Sequence, residues 1–312
     1  MAYQVSNGSS IPHATDYKNL LTLLKAFAES NGWTTLRWNV TTELEWIAVG
    51  PGLSGYEKVY IGVSTYSYAS NQAYCWQMGV FTGYDPSAAF YSQPNAMIKA
   101  VALWQSTIQY WFIVNGQRIL LATNINGIDQ LGYMGKFFTY NTPEQYPNPL
   151  LIAGPLASVA YVPYNDLSVK GAFIDGSPTA LLRDNSKPNL TLWPMNLTNV
   201  WSEERMGSNL ILPAVEAIST TNSLVPLFPV CVASPSVALP TFQNTTYSGT
   251  YNRLNYSEIP PTLNLFGDLD GVYFCPNLFE DPLRSQHPSV QVSGIDHILF
   301  SNGPTYAALR LS

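Results

Sequence analysis

The stretch that most constrains the fold runs from Tyr110 to Ala122. Tyr110-Trp111-Phe112-Ile113-Val114 is followed by Asn115-Gly116 and then by Gln117-Arg118-Ile119-Leu120-Leu121-Ala122. Two runs of β-formers flank a dipeptide that takes up positive φ at low cost. The type I′ turn expected of Asn-Gly has a twist that matches the strands on either side. An antiparallel hairpin is therefore expected here. Period-two patterning extends the sheet upstream, where Val59, Ile61, Val63, Thr65 and Ser67 alternate with Tyr60, Gly62, Ser64, Tyr66 and Tyr68. Residues 33–38, 44–49 and 73–83 read as further strands, and Gly50-Pro51-Gly52-Leu53-Ser54-Gly55 reads as a loop.

One segment departs from this period. Tyr17, Leu20, Leu21, Leu24, Phe27 and Ala28 fall at i, i+3, i+4, i+7, i+10 and i+11, a single helical face. Thr15 or Asp16 suits the N-cap, and Gly32 sits where a left-handed C-terminal residue is wanted. A helix over 16–31 is expected. The first half thus reads as an amphipathic helix on an antiparallel sheet.

The pattern changes between about 123 and 155. Gly127, Gly132 and Gly135 precede Phe137-Phe138-Thr139-Tyr140, and Pro143, Pro147 and Pro149 punctuate the residues that follow. Each proline removes a backbone donor and biases its predecessor to extended geometry. The segment is expected to be an ordered extended connector or an arm that docks on a neighbouring subunit. Phe137, Phe138, Tyr140, Tyr146, Pro147, Pro149 and Leu150 are its candidate contact residues. Beyond it, residues 210–215 and 224–233 read as strands, the second placed at a sheet edge by Pro226 and Pro229. Residues 240–261 read as a long loop. Residues 271–275 and 289–292 read as strands, and 296–301 with 306–311 as a final hairpin across Asn302-Gly303. The fold class expected is α+β and β-rich: an α+β domain over 1–125, a connector or arm over 126–158, and a mostly β domain over 159–312.

Composition then narrows the function. Charged residues are 11% of the chain, against roughly 25% in an average soluble domain. A surface buried against neighbours has little need of charge, and interface cores are depleted in it. Surface Asn, Ser, Thr and Tyr in place of charge would give the same figure. The net charge of −6 and the absence of any Lys/Arg cluster argue against a nucleic-acid partner, whose phosphates select a basic stripe. Cys75, Cys231 and Cys275 are too widely spaced for a zinc pattern and odd in number. They read as buried small hydrophobes in a reducing compartment. Met1-Ala2-Tyr3-Gln4 lacks the charged and apolar regions of a secretory signal, and no apolar run reaches the roughly 20 residues of a membrane span.

Sequence offers little chemistry. His13, His287 and His297 are far apart, and a satisfied histidine is the expected state of each. Glu43 and Glu45 would share one side of a strand, the paired-carboxylate arrangement a glycosidase requires. Glu203-Glu204 is a second pair, and Asp268 and Asp270 read as turn residues of Gly267-Asp268-Leu269-Asp270-Gly271. That turn lacks the further acidic ligands of a calcium loop. No phosphate loop and no nucleophile elbow is present. Tyr66, Tyr68, Tyr74, Trp76 and Tyr84 are the aromatics open to a binding role, with core packing the first explanation.

Several blocks carry a resemblance. Gly50-Pro51-Gly52-Leu53-Ser54-Gly55, Val59-Tyr60-Ile61-Gly62-Val63 and Gly79-Val80-Phe81-Thr82-Gly83-Tyr84 resemble segments of tailed-bacteriophage virion structural proteins. So do Gln145-Tyr146-Pro147-Asn148-Pro149-Leu150 and the ending Asp270-Gly271-Val272-Tyr273 with Tyr306-Ala307-Ala308-Leu309-Arg310-Leu311. The resemblance implies a neck, collar, tail-terminator or baseplate component: a ring of identical copies that also contacts neighbouring virion proteins. It implies no enzyme, cofactor, metal, membrane or small-molecule substrate. The place it implies is the virion, assembled in the bacterial cytoplasm. A carbohydrate- or receptor-binding module of a tail tip is the alternative.

Overall fold

The computed structural model describes residues 4–11, 16–68, 73–104, 108–140, 148–156, 179–181, 191–193, 227–233, 265–275, 287, 289–302 and 305–311. The protein is β-rich, with antiparallel sheets and one N-terminal helix among the described residues. Helix α1 spans Asp16–Ser30. It stops where Gly32 turns left-handed at φ +88°, and the Trp33 N–H reaches back to the Ala28 carbonyl at 3.1 Å, closing the last turn. Its stripe of Tyr17, Leu20, Leu21, Leu24 and Ala28 is buried.

Five strands form a meander immediately after the helix: β2 (Thr34–Val40), β3 (Leu44–Gly50), β4 (Val59–Tyr68), β5 (Ala73–Phe81) and β6 (Met97–Ala102). A second sheet runs in the order β1 (Gln4–Ile11), β7 (Ile108–Val114), β8 (Arg118–Ile125), β9 (Ile128–Lys136), β11 (Leu150–Ala153) and β12 (Thr179–Leu181). The third runs β13 (Thr191–Trp193), β14 (Phe228–Ala233), β15 (Leu265–Cys275), β18 (Thr305–Arg310), β17 (Ile295–Asn302) and β16 (Ser289–Val292). The two-residue β10 (Phe138–Thr139) also joins it, on β15.

The second sheet is the middle layer. On β7, β8 and β11, Phe112, Val114, Ile119, Leu121 and Ile152 point into a core shared with α1 and the meander. There they meet Trp46, Ala48, Ile61, Val63, Trp76 and Met78. Their sequence neighbours Ile113, Leu120, Ala122, Leu151 and Ala153 point the other way, against Val230, Val232, Leu269, Phe300 and Leu309 of the third sheet. A strand covered on both faces has no polar face to show. That is why 110–114 and 119–122 read as unbroken apolar runs rather than as alternation.

Three expectations change. Asn115-Gly116 does not form a type I′ turn, since neither residue has positive φ. Val114 pairs with Ile119 and β8 begins at Arg118, leaving residues 115–117 between the strands, where the Asn115 Oδ1 accepts the N–H groups of Gln117 and Arg118 at 3.0 Å. Among the described residues, the two-residue turns with φ positive at both positions are Asn126-Gly127 and Ser293-Gly294. Second, β14 is an inner strand. Among the described residues β13 pairs with 231–233, and Pro229 pairs with Tyr273 of β15 on the other side. Third, residues 267–271 are not a turn but part of β15, with Gly271 at φ +75°.

The range 126–158 contributes β9 and β11 to the middle sheet, and β10 between them pairs with β15. The final hairpin joins β17 to β18 with Asn302 opposite Thr305. The expected strand over 210–215 and the loop over 240–261 lie outside the described residues.

Candidate subunit-contact surface and polar clusters

The seven residues of the proposed arm divide by environment. Phe137 (2% exposed) and Leu150 (4%) are buried in the chain's own cores. Pro149 is half-buried, and its carbonyl accepts the Phe137 N–H at 3.1 Å. Phe138 (44%) and Tyr140 (52%) are exposed, while Tyr146 and Pro147 lie outside the described residues. The two exposed rings stand two residues apart, so the pleat turns both to the same side. Pairing of Phe138 with Asp268 and Thr139 with Gly267 fixes that side as the outward face of the third sheet.

Tyr140 ends in a small polar cluster on this face. Its hydroxyl donates to Asp268 Oδ1 and lies 3.5 Å from Cys231 Sγ, and the thiol lies 3.3 Å from the same carboxylate oxygen. Cys231 and Asp268 are register partners on β14 and β15. Burial, and then the neighbouring carboxylate, holds the Tyr140 phenol well above its ordinary range. Burial likewise raises the Cys231 thiol.

Two further clusters join layers. Arg118 and Asp270, both fully buried, meet at 3.5 Å between the middle and third sheets. The Asn115 and Gln117 side-chain amides each donate to Asp270 Oδ2 at 2.8 Å, and Arg118 Nη1 donates to the Ile113 carbonyl at 3.0 Å. The hairpin loop is thus shaped around a buried carboxylate, which accounts for its departure from the I′ form. Gly271 sits beside it at φ +75°, a backbone conformation that L side chains rarely adopt. The second cluster sets His287 Nε2 2.8 Å from Asp129 Oδ1, which also accepts from Asn124 Nδ2 at 2.6 Å. The imidazole packs against Trp111 and Phe300 at centroid separations of 4.7 and 5.0 Å.

The carboxylate pair of the glycosidase reading is split. Glu43 precedes β3 and accepts hydrogen bonds from Tyr17, Thr65 and Ser67 on the helix side of the meander. Glu45 pairs with Arg37 at 2.9 Å. The same guanidinium donates to the carbonyls of Asp85, Pro86 and Ala88, pinning the 82–96 loop over the opposite face. Each carboxylate is occupied in holding an element in place.

Trp76 is core, its indole N–H donating to the Tyr17 carbonyl at 2.6 Å. Tyr74 packs on Tyr17, Tyr84 lies under Arg37, and Tyr66 is half-buried. The side chain of Tyr68 is outside the described set, as are His13, the Glu203-Glu204 pair and the Cys275 side chain. Cys75 is buried, its thiol pushed up to about 12 by burial. His297 is a buried strand residue bonded to the Ile295 carbonyl, with burial lowering its pKa.

Sequence reasoning missed the Arg118–Asp270 and Asp129–His287 pairs, whose members lie more than 150 residues apart. The one local signal was a charged residue, Arg118, set inside an apolar run. Among the described residues no helix is long and apolar enough to cross a membrane, and no three His, Cys, Asp or Glu side chains converge. No protein-family model and no curated protein matches the chain.

Proposed function

We propose that this chain is a non-catalytic structural subunit whose identical copies associate into a ring, in the neck or tail region of a tailed-phage particle. The observation that carries the assembly reading is the exposed pair Phe138 and Tyr140, held on the outward face of the third sheet by strand pairing. Aromatic side chains bury large area at low entropic cost and dominate subunit contacts. Two of them on one side of a fixed strand make a ready patch. The scarcity of charge, 11% of residues, supports the same reading, since a face covered by a neighbour needs little solvation. Head-to-tail contacts between identical chains close into rings when the rotation permits. Assignment of that ring to a virion rests on the sequence resemblance alone.

Light scattering on the purified chain over a hundredfold concentration range tests the assembly. The expected result is a mass that rises with concentration to a defined multiple of the monomer. Phe138→Ser should shift the association midpoint at least tenfold upward while leaving the unfolding midpoint nearly unchanged. A strict monomer throughout overturns the proposal.

A further inference from the structure

We draw no further inference here: the strongest candidate, the polar row of Glu45, Ser64 and Gln77 on the face of the meander turned away from the helix, where the Gln77 Oε1 is buried with no hydrogen-bond partner among the described residues, carries nothing, because that atom is shut off from solvent and nothing in the structure shows what would reach it.

Discussion

The Arg118–Asp270 pair is the residue-scale feature on which the joining of two layers depends. Two charges with no exposed surface have lost their hydration, and the pair recovers it only while both partners and the Asn115 and Gln117 amides remain. Removing one partner strands the other. Asp270→Leu or Arg118→Met should each destabilise the protein by about 3–5 kcal/mol. The double variant should be less damaging than the sum of the two, and urea denaturation of the four species measures the coupling. Asn115→Ala should cost about 1–3 kcal/mol in the same assay, because it removes a donor to a buried carboxylate as well as the loop's cap.

Lys99 gives a residue-scale prediction with a pH sign. Burial lowers its pKa in the folded state. Below the folded pKa both states are protonated, and the folded state carries the cost of a buried ammonium. As pH rises past the folded pKa the folded amine loses its proton while the unfolded chain keeps its own until about 10.4, so stability rises over that window. Lys99→Met should therefore be more stable than the parent at neutral pH, and the difference should shrink toward pH 10. Thermal unfolding at several pH values checks this, and a difference that does not vary with pH would refute it.

At the scale of elements, sequence was most informative where one local force dominates. The stripe from Tyr17 to Ala28 and the stop at Gly32 specify α1 almost to the residue, because a helix is read from contacts within itself. Strands β2 to β5 follow from short apolar runs between turn residues. The turns were harder. Asn-Gly at 115–116 carries the I′ signature yet forms a wider loop, since the buried Asp270 recruits the Asn115 side chain. Asn126-Gly127, which the pattern did not single out, has positive φ at both residues between β8 and β9. Asp268 and Asp270 resemble turn residues locally, and only the layer below makes the segment a strand. Of the candidate arm, the exposure of Phe138 and the burial of Phe137 follow from alternation once β10 is known, but nothing local announces a two-residue strand. Gly127 has positive φ and open space around it, so Gly127→Ala tests backbone strain alone. Its cost should be about 1 kcal/mol or somewhat more in equilibrium denaturation.

On the scale of the whole molecule, the middle sheet belongs to two cores at once, and this decides how the chain behaves when cut. A division after residue 125 looks natural in the sequence, where apolar strands give way to a glycine- and proline-rich stretch. In three dimensions the cut removes β9 and β11 from the middle sheet. It also uncovers Ile113, Leu120 and Ala122, which pack against the third sheet. A fragment of residues 1–125 would retain α1 and the meander, but one face of β7 and β8 would be apolar and solvent-facing, with the β8 edge unpaired. Such an edge templates pairing with other chains. The fragment is therefore expected to aggregate, whereas the full chain unfolds with the meander and the middle sheet in a single step. Hydrogen exchange checks the second part. Amides of β4 and β5 should open with the same free energy as those of β8 and β9, because both sets depend on one apolar interface. A soluble 1–125 fragment with cooperative unfolding would show that the meander and helix stand alone, and that the middle sheet contributes to them far less than its packing implies.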